Sequence, residues 1–67
     1  MNEPMTFEQT TNLFTRYVIG NPDRDICTII NYMDINEHHM TLVLLGESIR
    51  NSSSEEQKLL LETIDRN

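Results

Sequence analysis

Apolar positions recur with a helical period along four stretches of this chain, and polar clusters divide them. "TFEQ", starting at Thr6, has the capping-box pattern: the Thr hydroxyl can accept from the third helical amide while Gln9 reaches back. Beyond it Phe7, Leu13, Phe14, Tyr17 and Val18 share one face, and Glu8, Gln9, Asn12 and Arg16 share the other. "GNPD" then interrupts. Gly20 suits a C-terminal cap, and Asn21-Pro22 suits an N-cap followed by proline in the first turn. The second helix is expected from about Pro22 to Met33, with Ile26, Ile29, Ile30 and Met33 on one face and Cys27 at its edge. Its isoleucines and Thr28 make a strand over "CTIINYM" the rival, but the spacing fits a period of about 3.6 better than one of about 2. "DINE" offers Asp34 or Asn36 as the next cap. After Arg50 the "NSSSEE" linker carries a second capping box, Ser53 with Glu56. The last helix groups Leu60, Leu61 and Ile64, with Leu59 at the margin, and has Lys58–Glu62 and Glu62–Arg66 as spaced charge pairs.

The expected architecture is therefore all-α: one small domain over residues 1–67, a bundle of about four short helices near 6–19, 22–33, 36–50 and 53–66. The third helix differs from the rest. At about 100° per residue, Met40, Val43 and Leu44 fall together, while Ile35, Leu42, Leu45 and Ile49 fall on the opposite side with His38 among them. A helix apolar on two sides must be covered on two sides. Either the other three helices wrap it, or the set Ile35, His38, Leu42, Leu45 and Ile49 is an interface for a second copy or a target. A buried strand over "HMTLVLLG" is a third possibility.

Composition narrows the function classes. With eleven acidic and five basic residues the formal net charge is −6, the wrong sign for neutralising phosphates or anionic membranes. The chain is expected to bind neither nucleic acid directly nor a membrane, and no run approaches the roughly 20 apolar residues of a span. The acidic start "MNEPMTFEQ" lacks the character of a secretion signal. A single cysteine, Cys27, leaves no disulfide within the chain and fits a reducing, cytoplasmic setting. A chain of this length has a thin core, and self-association is a common remedy.

Specific chemistries find little support. Asp25 to Leu45 scans as a helix-turn-helix, but its second helix would offer Glu37, His38, His39 and Thr41 to a groove, without Arg, Lys or Gln in its first turns. Asp34 with His38, or adjacent His38-His39, falls short of a zinc site, which wants four spaced ligands. Cys27 reads as a small core residue, the commoner role of a free cysteine. Gly20 and Gly46 are the only glycines, so no glycine-rich phosphate loop exists. The expectation is a protein that is not an enzyme and has no cofactor or metal.

A very short, acidic, helical chain that begins at an initiator methionine and lacks a catalytic motif resembles the small inhibitors and regulators encoded by bacteriophages or bacterial mobile elements. The resemblance is one of type, and it implies action by binding a larger protein. The sequence thus points first to a non-enzymatic regulatory or inhibitory protein, homodimeric, acting by protein–protein contact. Its partner would be a larger host or cognate protein. The alternatives are a decoy that imitates nucleic acid through Glu47, Glu55, Glu56, Glu62 and Asp65, and a self-assembling structural component.

Overall fold

A computed structural model describes residues 5–66. The expected non-secretory start includes residues 1–4, which lie outside the described residues. The fold is all-α: α1 (Phe7–Gly20), α2 (Ile26–Tyr32), α3 (His39–Arg50) and α4 (Ser54–Arg66). Both strand alternatives fall inside helices, over α2 and α3. The molecule is a slab of 38 × 27 × 17 Å, about two helix layers thick.

Both capping boxes form. Thr6 accepts from the Gln9 amide at 3.1 Å while the Gln9 side chain accepts from the Thr6 amide at 2.9 Å. Ser53 and Glu56 repeat the arrangement at the head of α4. Three other boundaries differ from the sequence reading, each for a local reason. Gly20 is the last residue of α1 and has no positive φ, so it is not a left-handed cap. Asn21 is the C-cap, with φ −132°, and its side-chain amide donates to the Tyr17 carbonyl at 2.9 Å. "NPDR" is a turn rather than a helix start: the Arg24 amide donates to Asn21 O at 3.0 Å, with Pro22 in the second position that favours its fixed φ. α2 therefore begins four residues later than Pro22, capped by the Asp25 carboxylate, which accepts from the Cys27 amide at 3.1 Å.

The α2–α3 link explains the third difference. Asp34 takes φ 58°, and the Asp34 and Ile35 amides donate back to Asn31 and Ile30 carbonyls at 3.1 and 3.4 Å. This is a Schellman end, with Asp34 in the left-handed position usually given to glycine and Ile35 folding back beside Ile30. Neither Asp34 nor Asn36 caps α3. That position falls to His38, also left-handed at φ 62°, whose side chain makes no capping bond.

The core is small. Phe14 and Val18 of α1, Ile29 and Ile30 of α2, and Leu42 and Ile49 of α3 are buried, with Tyr17, Ile26, Met33, Ile35, Val43 and Leu45 packed partly against them. Thr15 is buried beside them, its hydroxyl donating to the Thr11 carbonyl at 2.8 Å. Gly46 sits where α1 and α2 meet α3, under the Ile26 and Phe14 side chains. α4 packs mainly on α1, and none of its residues is buried. Leu60 is exposed rather than core, because α4 leans on α1 through Leu61 and Ile64. Polar bonds tie α4 to the rest: Arg16 of α1 pairs with Asp65, and the Gln57 side chain donates to Ile49 O at 2.9 Å and to Ser52 O at 3.4 Å. The pairs Lys58–Glu62 and Glu62–Arg66 are not within salt-bridge distance among the described residues.

Candidate functional site

The two apolar stripes of α3 have opposite fates. Leu42 is 0 % and Ile49 3 % exposed, both in the chain's own core. They have no free surface, so the expected contact face of Ile35, His38, Leu42, Leu45 and Ile49 is corrected. α1 and α2 approach α3 from the same side, and Gly46 lets them come close. Ile35 is half-buried as the closing residue of the Schellman end, and Leu45 is half-buried against the core. His38 is exposed. Its ring meets Phe7 edge-on, with centroids 4.6 Å apart, and its Nε2 lies 3.8 Å from the Glu37 carboxylate. This holds the start of α1 near the start of α3 and leaves no buried seam around His38.

The free stripe is the other one. Met40 is 69 % and Leu44 62 % exposed, one turn apart on the outer face of α3, with Val43 half-buried beside them. Glu47 follows Leu44 by three residues and is exposed on the same face. The site is thus two apolar side chains with a carboxylate at their edge, carried on a helix whose opposite face is fixed in the core. A side chain held this way presents itself with its backbone already ordered, which lowers the entropy lost on binding. Leu59 and Leu60 add a second exposed apolar pair on α4.

The acidic candidates are all exposed but not equivalent. Asp65 is neutralised locally by Arg16. Glu56 caps α4, and hydrogen bonds from the Ser53 amide and then the Ser53 hydroxyl lower its pKa below the ordinary carboxylate value. Glu47, Glu55 and Glu62 carry neither a salt bridge nor a cap among the described residues. Cys27 is exposed on the first turn of α2 and is not the core residue expected from sequence. Ile26, Ile29 and Ile30 face inward, and at about 100° per residue Cys27 lies well round from Ile26 and Ile29 on the open side of α2. Among the described residues, no three His, Cys, Asp or Glu side chains are grouped to hold a metal ion.

Comparison with known proteins gives no match. No family model fits the chain, and no curated protein or solved structure is significantly similar to it. The functional reading therefore stands on the residues themselves.

Proposed function

We propose that this chain is a small acidic, non-enzymatic regulator or inhibitor that acts by binding another protein through the outer face of α3. The observation that carries the reading is the exposure of Met40 and Leu44, 69 % and 62 %, opposite a face that the core fully uses. Covering two such side chains supplies about 1.5–3 kcal/mol each when burial is complete, the scale of an interface anchor. The partner is a protein offering an apolar pocket edged by Lys or Arg. Glu47 stands at the rim, and a chain of net charge −6 is steered toward a basic surface. A reducing, cytoplasmic setting belongs to the same proposal, Cys27 being the chain's one cysteine. Among the described residues, no helix is long and apolar enough to cross a membrane.

A homodimer through this face is the second reading. It is favoured by a core of six buried apolar residues among those described and by a helix α4 with none. The nucleic-acid decoy has less support, since Asp65 and Glu56 are already engaged. Affinity capture with the wild-type chain, Leu44→Glu and Glu47→Gln tests the main reading, with circular dichroism confirming that each variant folds. A specific partner held by wild type, lost with Leu44→Glu and released faster by Glu47→Gln is the expected result. Equal capture by Leu44→Glu overturns the face. Salt separates the readings. A basic partner lets go as salt rises, whereas two acidic copies associate more tightly because their repulsion is screened.

A further inference from the structure

Nothing in the residue pattern singles out Arg24 or Tyr32, yet the fold sets them on one groove. α1, α2 and the turn between them border a half-open space of about 250 Å³ lined by Tyr17, Asn21, Arg24, Thr28, Ile29 and Tyr32. Ile29 is buried at its base, and Tyr17 and Tyr32 meet edge-to-face with centroids 5.7 Å apart. The lip is fixed by Asn21. Its side chain donates to Tyr17 O at 2.9 Å, and its carbonyl accepts both the Arg24 amide at 3.0 Å and Arg50 Nη2 at 2.9 Å.

The electrostatics here run against the rest of the molecule. Two of the five basic residues of an acidic chain lie at this end: Arg24 lines the groove, and the Arg50 guanidinium donates to the Asn21 carbonyl at its lip. Neither has a carboxylate at salt-bridge distance among the described residues. The flanking acids do not neutralise Arg24: Asp25 is turned onto the Cys27 amide, and Asp23 does not line the groove. Thr28 is also free. Thr11, Thr15 and Thr63 donate to carbonyls three or four residues back, whereas the Thr28 hydroxyl makes no such bond among the described residues. Neither tyrosine hydroxyl is engaged in a hydrogen bond there either.

We infer that this groove binds an aromatic ring carrying a carboxylate. The ring lies against Tyr17, Tyr32 and Ile29, where edge and face contacts between aromatic rings are favourable. The carboxylate is held by the Arg24 guanidinium, whose planar fork matches it, with the Thr28 hydroxyl as a second donor. The space is smaller than the roughly 300–1,000 Å³ of drug-sized sites, so it suits one ring and a short acid arm. Such a group occurs as a free aryl acid and as a peptide chain ending in phenylalanine.

Nuclear magnetic resonance titration of the 15N-labelled chain tests this, with 3-phenylpropanoate as probe and 3-phenylpropanamide as its uncharged control. The acid is expected to shift amides of residues 17–32 with a dissociation constant near a millimolar, the strength usual for so small a ligand. Arg24→Gln, an exposed change, is expected to weaken binding about five-fold or more, and the amide to match that loss. No shift up to about 10 mM overturns the proposal. So do equal shifts with the amide, or unchanged affinity in Arg24→Gln. Acetyl-Gly-Gly-Phe with a free carboxylate separates the sources: tighter binding than the probe assigns chain ends, and weaker or equal binding assigns free aryl acids.

Discussion

Adding one methyl group at Gly46 sets two opposed effects against each other. Alanine is favoured over glycine inside a helix by about 1 kcal/mol, so Gly46→Ala would stabilise an open α3. Gly46 is not open. A Cβ placed there lies 2.9 Å from Ile26 Cδ1, 3.1 Å from Ile26 Cγ2 and 3.1 Å from Phe14 Cζ. Carbon atoms prefer separations of about 3.5–4.0 Å, so each contact is too short by roughly half an ångström. Ile26 is half-buried and its Cδ1 end can swing, but Phe14 is 0 % exposed and its ring has nowhere to go. Overpacking of this kind costs about 1–3 kcal/mol. Taking about 2 against the gain of about 1 leaves a net loss near 1 kcal/mol, a fall in Tm of about 4–8 °C for a domain this small. Thermal and urea unfolding followed by circular dichroism measure it. Ile26→Val removes the nearest atom, so it should cost less in the Gly46→Ala background than alone, with a coupling of about 0.5 kcal/mol or more. A Gly46→Ala chain that melts several degrees higher, or a strictly additive cycle, would refute the close packing of α1 and α2 on α3.

The two stripes of α3 should respond differently to truncation: Leu42→Ala should cost about 2.7–5 kcal/mol and leave little folded protein, while Leu44→Ala stays within about 0.5 kcal/mol, both read from urea midpoints. Asp34→Gly relieves a left-handed residue and should stabilise the chain by about 0.5–1 kcal/mol, unless the Schellman end is absent and glycine merely loosens the link. Ser53→Ala removes the hydroxyl bond, the smaller of the two that lower the Glu56 pKa, and keeps the backbone amide bond, so the carboxyl should titrate at somewhat higher pH by carbon-detected resonance. Because that pKa is lowered on folding, the stabilisation it reports is present above the unfolded value and lost as pH falls through the folded one; an unmoved Glu56 titration would show that the Ser53 hydroxyl takes no part in the cap. Hydrogen exchange should find α4 amides the least protected of the four helices, and Asp65→Asn should speed them further; α4 protection equal to that of α1 would contradict so shallow a docking.

Much of the fold was legible because its signals are local. A capping box needs only residues three positions apart, so the starts of α1 and α4 could be read from Thr6–Gln9 and Ser53–Glu56. Helical periodicity likewise showed that Phe14, Val18, Ile29 and Ile30 turn to one side. The misread boundaries involve residues with two legitimate local uses. Asn-Pro can cap a helix or open a turn, and the bond from Arg24 to Asn21 selected the turn. Asp34 can cap a following helix or end a preceding one. Ile35 folding onto Ile30 selected the latter, which also removed Ile35 from the contact face.

The sequence by itself determined that this chain is helical, acidic and divided into four, and that α3 is apolar on two sides. Those properties follow from spacing and composition, which are fixed before any helix meets another. Only the tertiary structure decided which side of α3 faces inward. Leu42 and Ile49 form as good a stripe as Met40 and Leu44, and the choice depended on Gly46 opening one side to Phe14 and Ile26. The same choice moved the candidate contact surface to Met40 and Leu44. The meeting of Tyr17, Arg24 and Tyr32 at one groove was also a tertiary outcome, since it arises from two helices and the turn between them.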